Sequence, residues 1–548
     1  MFGLKGAYFY LIALQITIIK FFKKIYFTSN YYNKSLQSKV PVQVYFNPNP
    51  FLLSIISPFK KKLFKVEEID PNNFWLKEEE NAQLNERHNF LWLNLINRKT
   101  DGKNIQKIIY LWMLRNTNFK KKIWDSKTLS SRVTSWILNI DIIINNGTFD
   151  FKRNFFNSII SQCNHLKKNI RFEKDPLVKV QILTALILSG LAFKEYEENF
   201  NIAINELDKF VNSYFDEDGF PLSRNPNDLV FLTRYFLLCN ESIKDAQKYI
   251  PEFLEKIIER NLSCIKLIKT PDEKVPLFNG GSEIDLSSFE KYLSDINHKK
   301  KNKRNTIGGL FYAKSKSQLI FLDIDGPPRK NFSKNYQSGP LSFEYFIDGT
   351  KIITNCGFGN HLSSKAVLIS RLTASQSTLT INDTSITKFE RNKLVNRIFG
   401  NSIKNTFKTS ELKLTDDKNL IGCSISHNGY EKNFGCLHKR EIYIDKENNK
   451  LKGVDHITKK SDGIPVRYVF RFHLNPILTA VKTMSGNSAL IQISKNKSLI
   501  FTIENEDIEI EKSIFLGGKK ILDNSCITIA GNLVNKNKSF NWEIKKKI

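Results

Sequence analysis

A chain of 548 residues, with 83 Lys and Arg against 55 Asp and Glu, carries a formal net charge of +28. Its length exceeds what one hydrophobic core serves, so two large domains are expected, and 41% hydrophobic residues let them fold without a metal or disulfide framework. Seven cysteines, an odd count with no CxxC spacing, exclude a zinc ribbon or a closed cystine scaffold and read as small buried residues.

Residues 7–19 (AYFYLIALQITII) are apolar but short for a membrane span, and the lysine-rich KFFKKIYF follows them. This pattern predicts a membrane-surface helix through residues 6–28, with an uncleaved anchor as the alternative. It permits export, so the cell envelope or periplasm is the expected compartment and the cytoplasm the alternative. Residues 40–82 read as irregular, which makes 1–82 a lead-in. From Asn85 the apolar spacing turns helical, with amphipathic runs at 85–98, 105–114, 129–145, 155–168, 177–193, 200–215, 228–239 and 246–267. Trp92, Trp124, Trp136 and Phe90 fall at helical spacing and read as core. An all-α domain over 83–300 is expected, with helix stops at Asn145-Asn146-Gly147 and at Asp216–Gly219 followed by Pro221.

The charged run HKKKNKRN at 298–305 is the expected domain boundary. Beyond it the period becomes 2. LFYAKS, QLIFLDID, LSFEYFID, KIITNC, STLTIND, HKREIYID, RYVFRFHL, ALIQIS, LIFTIE and SIFLGG predict an antiparallel β-sandwich over 306–548. In LSFEYFID, Leu341, Phe343 and Tyr345 take one face and Ser342 and Glu344 the other, as in a half-buried strand.

Three groups of residues carry candidate chemistry. Arg224 and Asn225, in the turn SRNP, suit a carboxylate or sugar hydroxyls, or serve only the turn. His438 and Arg440 share one strand face, as do Arg471, His473 and Asn475 on another strand. Two basic pairs of this kind suggest either one polar patch that meets an anionic sugar or a hydrogen-bonded ladder that pins the sheets. Asn279-Gly280-Gly281 reads as a tight loop that can present Asn279. The basic charge is spread along the chain with Lys far above Arg, so a nucleic-acid partner is not expected.

The motifs HNFLWL, WDSKTLSSRVTSW, DEDGFPLSRNP, LFNGG, DGPP, GPLSFE, NCG, RLTASQSTL, HNGY, HKR, LKGVD and RFHLNP occur in one order from about His88 onward. Together they resemble the heparinase II/III-like family of polysaccharide lyases. The resemblance implies an (α/α) toroid of helical hairpins followed by a C-terminal antiparallel β-sandwich. It implies β-elimination on a uronic-acid-containing polysaccharide, hence an acidic polysaccharide substrate. The family's catalytic Tyr position falls on or near Asp228 here, so the usual catalytic pair does not carry over. Tyr430, His438 and Arg440 are then the candidate acid–base group, with Arg224, Asn225, Asn279, Arg471 and His473 as substrate-binding candidates. The wider family's zinc positions correspond to Gln337, Asn355 and Gln376. Amides are poor zinc ligands, so no metal or other cofactor is expected, and a hydrogen-bonded network is expected in its place. The alternative is a non-catalytic anionic-glycan-binding or envelope protein on a degenerate lyase scaffold.

Overall fold

A computed structural model describes residues 4–57, 70–75, 81–99, 102–145, 147–294, 305–460, 465–534 and 537–547. Most of the charged run at 298–305, with its expected boundary, lies outside them. The chain divides into two compact units, Met1–Tyr214 with Val230–Arg260, and Phe215–Leu229 with Asn261–Ile548.

The first unit is helical. Its longer helices are Leu4–Thr28, Gly102–Asn116, Ser126–Leu138, Phe149–Asn169, Pro176–Ala192 and Glu197–Tyr214. In Pro176–Ala192, Asp175 accepts from Leu177 N, Pro176 opens the first turn, and every residue from 180 to 192 is buried. This helix packs on Ser126–Leu138, Phe149–Asn169 and Glu197–Tyr214. Gly190 marks the closest approach, since a Cβ there would meet Phe200 N at 2.5 Å. Each fully buried Leu, Ile or Phe on these faces contributes about 1.5–3 kcal/mol.

Trp124, Trp136 and Phe90 are core, as their spacing indicates, while Trp92 is half-buried. Trp112 and Trp136 meet edge to face at 5.1 Å, and Phe90 lies 5.1 Å from Trp136. Tyr235 is packing as well, its hydroxyl accepting from Gln181 Nε2 at 2.9 Å. Two expected helices are shorter than their apolar spacing suggests. The run at 85–98 breaks at Phe90, which adopts φ 56°, while Asn89 Oδ1 accepts from Leu91 N at 2.8 Å. The run at 129–145 breaks at Asn139, between Ser126–Leu138 and Ile140–Ile144.

The second unit holds seventeen described strands. They are β1 (Thr306–Ile307), β2 (Leu310–Lys314), β3 (Gln318–Asp323), β4 (Phe343–Ile347), β5 (Thr350–Ile353), β6 (Leu379–Ile381), β7 (Thr409–Asp416), β8 (Leu420–Tyr430) and β9 (Cys436–Asp445). They continue as β10 (Lys450–Lys459), β11 (Val466–His473), β12 (Thr479–Lys482), β13 (Ser488–Ser494), β14 (Lys497–Ile503), β15 (Glu509–Phe515), β16 (Leu522–Leu533) and β17 (Asn537–Lys546). Three antiparallel sheets result, in the orders β1-β2-β3-β4-β5, β12-β13-β14-β17-β10-β9-β8-β7 and β15-β16-β11-β6. A single apolar core including Phe343, Tyr345, Phe470, Phe472, Phe501 and Trp542 joins them.

Strand β4 departs from the half-buried pattern expected of it. All five of its residues are buried, and Glu344 points into protein. Its carboxylate accepts from Leu277 N, Thr354 Oγ1 and Lys351 Nζ at 3.2, 3.0 and 3.1 Å. The loop that begins at Leu277 therefore covers the second face of this strand.

Candidate functional site

The turn 223–228 is built around Arg224, whose φ of 58° aims the side chain into the second unit. Its guanidinium donates to Gly309 O at 2.9 Å and Gly326 O at 2.6 Å, and pairs with the Asp323 carboxylate. Burial alone lowers the Arg224 pKa, but Asp323 and Asp325 outweigh it and raise it. Only glycine fits beside this group, because a Cβ at Gly309, φ 76°, would meet Arg224 Nε at 2.4 Å. Asn225 Nδ2 donates to Asp228 Oδ1 at 3.1 Å, its Oδ1 accepts from Asn227 N at 2.9 Å, and Ser223 Oγ donates to Asp228 Oδ2 at 2.7 Å. Asp228 is thus a carboxylate in the first turn of the helix Pro226–Asp245, engaged by the residues just before it. Arg224 and Asn225 are both buried, and these internal partners leave no guanidinium or amide group facing solvent for a sugar. Their expected substrate-binding role is corrected to a structural one.

Asn279 is buried too, with φ 53°, and its Nδ2 has no partner among the described residues. The next residue ties this loop to the amide cluster, Gly280 N donating to Gln337 Oε1 at 3.0 Å.

Of the three amides, Gln337 and Gln376 join through a shared carbonyl, and Asn355 bonds apart from them. Gln337 Nε2 donates to Ser370 O at 2.8 Å and Gly357 O at 3.2 Å, and Gln376 Nε2 donates to the same Ser370 carbonyl at 2.8 Å. Asn355 Oδ1 accepts from Ser377 N at 3.0 Å. A zinc ion does not fit these groups: the Gln337 and Asn355 amide oxygens face backbone N–H donors, and the Gln337 and Gln376 amide nitrogens are turned onto carbonyls. Among the described residues no three His, Cys, Asp or Glu side chains converge as a metal site. His361 instead lies against Gly518 O at 2.6 Å.

The deepest polar constellation centres on Asp455 of β10. Arg440 Nε donates to Asp455 Oδ1 at 2.8 Å and Arg440 Nη2 to Oδ2 at 3.0 Å, while Trp542 Nε1 donates to Oδ2 at 2.9 Å. His438 Nε2 lies 2.7 Å from Asp455 Oδ1, and His438 Nδ1 lies 3.2 Å from His427 Nε2. The tautomers follow from the end of this chain. His427 Nδ1 accepts from Gly429 N at 3.1 Å, so His427 carries its proton on Nε2 and gives it to His438 Nδ1. His438 then holds its proton on Nε2, toward Asp455. Burial lowers the pKa of both imidazoles, and Arg440 holds Asp455 well below the usual carboxylate range against the effect of burial. Tyr430 donates its hydroxyl to the carbonyls of Leu379 and Thr384, each at 3.1 Å, and burial pushes its pKa up.

Tyr430, His438 and Arg440 are brought together, but inside the sandwich. None is more than 1% exposed. Where the sequence suggested an acid–base group for a polymer, the structure shows a buried cluster whose polar atoms bond within the protein.

Arg471 and His473 do not join them. On β11 the alternating residues Phe470 and Phe472 face the core, 5.8 Å from His438 and 6.0 Å from the Arg440 guanidinium. The basic pair therefore projects from the opposite face. There His473 takes Ser513 Oγ and Ala374 O, each at 3.0 Å, and burial lowers its pKa to about 4. Arg471 Nη1 donates to Thr380 Oγ1 at 2.6 Å. A cavity of about 350 Å³ opens beside them, lined also by Glu511, Lys512 and Asp523. The expected single patch is two separate groups, one on the core-facing side of β9 in the eight-stranded sheet and the other on the side of β11, in the four-stranded sheet, that is turned away from that core.

Two larger cavities on this unit differ in charge. One of about 540 Å³ is lined by Asp216, Asp218, Asp325 and Glu411, which repel an acidic polymer. The other, about 460 Å³, is lined by Lys266, Lys269, Lys314 and Lys316 against Glu273 and Asp348. The sequence reading passed over this basic group. Its only local signal is the pair of lysines flanking Ser315, common enough in so basic a chain to carry no weight.

Residues 303–543 match the family described as heparinase II/III-like, C-terminal. That match places a heparinase II/III-like C-terminal domain in the second unit, and the helical region and antiparallel β-sheets of the chain match the toroid-plus-sandwich fold. A crystal structure of heparinase III superposes with a TM-score of 0.67 at 14% identity, covering 86% of this chain and 79% of that one. The heparan sulfate lyase HepC from Pedobacter heparinus gives 0.62 at 16%, covering 87% and 78%. In sequence, FtsZ-localized protein C from Caulobacter vibrioides is 25% identical over 344 residues. That match covers 59% of this chain and 57% of the length of its relative.

Proposed function

We propose that this chain binds an acidic, uronate-containing polysaccharide on a lyase scaffold without cleaving it. The observation that carries this reading is the burial of Tyr430, His438 and Arg440, each fully engaged within the protein. β-Elimination needs a base at the C5 proton, an acid at the leaving oxygen and a group that neutralises the sugar carboxylate. Asp228 in the turn and the amides at 337, 355 and 376 supply none of these. The lysine-lined cavity gives an anionic polymer a place to bind through several ammonium groups. The name of the Caulobacter relative states where that protein is found and no reaction, which agrees with a binding role. We place the protein at the cell envelope, where such polymers occur.

Binding is tested by titrating the purified chain with a uronate polymer against Lys314→Glu/Lys316→Glu. The variant is expected to bind at least about tenfold more weakly, with the remaining affinity falling as salt rises. Equal affinity for both proteins contradicts the reading. The likeness to solved heparinases favours a second reading, a working lyase that cleaves the same class of polymer, and the elimination assay at the end of the Discussion separates the two.

A further inference from the structure

The helix Leu4–Thr28 holds large apolar side chains in solvent along most of its length. Leu11, Phe21 and Phe22 are 62%, 61% and 63% exposed, and Ile18 and Ile25 are exposed beside them. At about 100° per residue, Leu11, Ile18, Phe22 and Ile25 fall within roughly one quarter of the helix circumference. Ala13 and Phe27 lie on the opposite side. That side is moored to the helical unit: Phe27 packs 5.2 Å from Phe119 and 5.4 Å from His165, and Lys23 sits over the Phe172 ring at 2.9 Å. An apolar stripe of this width ordinarily faces a core. Here the core side of the helix is already used, and the stripe is the other side.

Charge decides what covers it. The helix contains Lys5, Lys20, Lys23 and Lys24 and no acidic residue. The first 66 residues of the chain contain ten lysines and no Asp or Glu. A second copy would bring together two segments of the same uncompensated positive charge. No helix among the described residues is long and apolar enough to cross a membrane. We infer that Leu4–Thr28 lies flat on the surface of an anionic lipid bilayer, with the stripe of Leu11, Ile18, Phe22 and Ile25 in the acyl–headgroup boundary and the exposed Lys20 and Lys24 on the polar side of the helix, adding long-range attraction to the anionic surface. The helical unit then rides on the membrane through its moored face. This surface is independent of the glycan reading.

The test uses the full chain and the variant Leu11→Asp/Ile18→Asp/Phe22→Asp, whose three positions contribute no buried packing. Both are sedimented with vesicles of phosphatidylglycerol and phosphatidylcholine, and with phosphatidylcholine vesicles alone. The native chain is expected to pellet with the anionic vesicles, less with the neutral ones, and the variant to lose at least about tenfold in partitioning at an unchanged unfolding midpoint. Lys20→Gln/Lys24→Gln is expected to weaken binding to the anionic vesicles alone. Equal pelleting of the native chain and the triple variant overturns the inference. So does a native chain that ignores vesicles but self-associates through contacts that the triple variant loses, since a second copy then covers the stripe.

Discussion

Asp455 shows how one carboxylate is held ionised in an apolar core. It accepts from both nitrogens of the Arg440 fork, from the Trp542 indole and from His438, so its lone pairs are filled. Removing one partner of a buried pair leaves the other charge uncompensated, which costs roughly 3–5 kcal/mol. Asp455→Ala is accordingly expected to lower the stability measured by urea unfolding by that amount, and a loss below about 1 kcal/mol would contradict this pairing. The same constellation sets the acid response. His427 and His438 are held neutral, so the unfolded chain takes up protons below its ordinary value of 6.5 while the folded chain resists. Stability is therefore lost as pH falls from about 6.5, and the loss continues through the value of about 4 for His473. Asp455, depressed in the folded state, adds to the loss in the same direction once pH passes below 3.8. Thermal midpoints recorded across this range are expected to fall steadily, and a flat profile counts against neutral buried histidines.

At the scale of elements, strands with clean alternation were legible and several of the longest were not. The run HKREIYID is β9 and RYVFRFHL is β11, since large apolar residues mark one face of each. Strands β8 and β10 escaped because small or polar residues interrupt the apolar face of each, Cys423 and His427 alternating with Ile421 and Ile425 in one and Gly453 and Asp455 between Leu451 and Ile457 in the other. Gly453 pairs with Trp542 of β17, and a Cβ there would meet the indole at 2.1 Å. Gly453→Val is expected to displace Trp542 from Asp455 and cost about 1–3 kcal/mol by overpacking, read as a lower urea midpoint. A neutral outcome would show that the indole has room to move. The site was harder to read than the fold for a related reason. Same-face spacing identified His438 with Arg440 and Arg471 with His473, but spacing cannot say which sheet face meets the core. The two phenylalanines of β11 decide that, and they turn one pair inward and the other outward.

For the whole molecule, the fold matches the toroid-plus-sandwich architecture of solved heparinases, and its candidate polar residues are internal. Arg224 closes on Asp323, the amides at 337, 355 and 376 close on backbone groups, and Tyr430 closes on two carbonyls. What the second unit offers an acidic polymer is the basic cavity around Lys314 and Lys316. The measurement that bears most directly on this account is incubation of the purified chain with a panel of uronate polymers, following absorbance at about 232 nm, where the unsaturated product of β-elimination absorbs, alongside a binding titration on the same samples. The account predicts salt-sensitive binding to at least one polymer and no rise in absorbance with any of them. A time-dependent rise that scales with protein concentration would contradict it and establish the chain as a lyase.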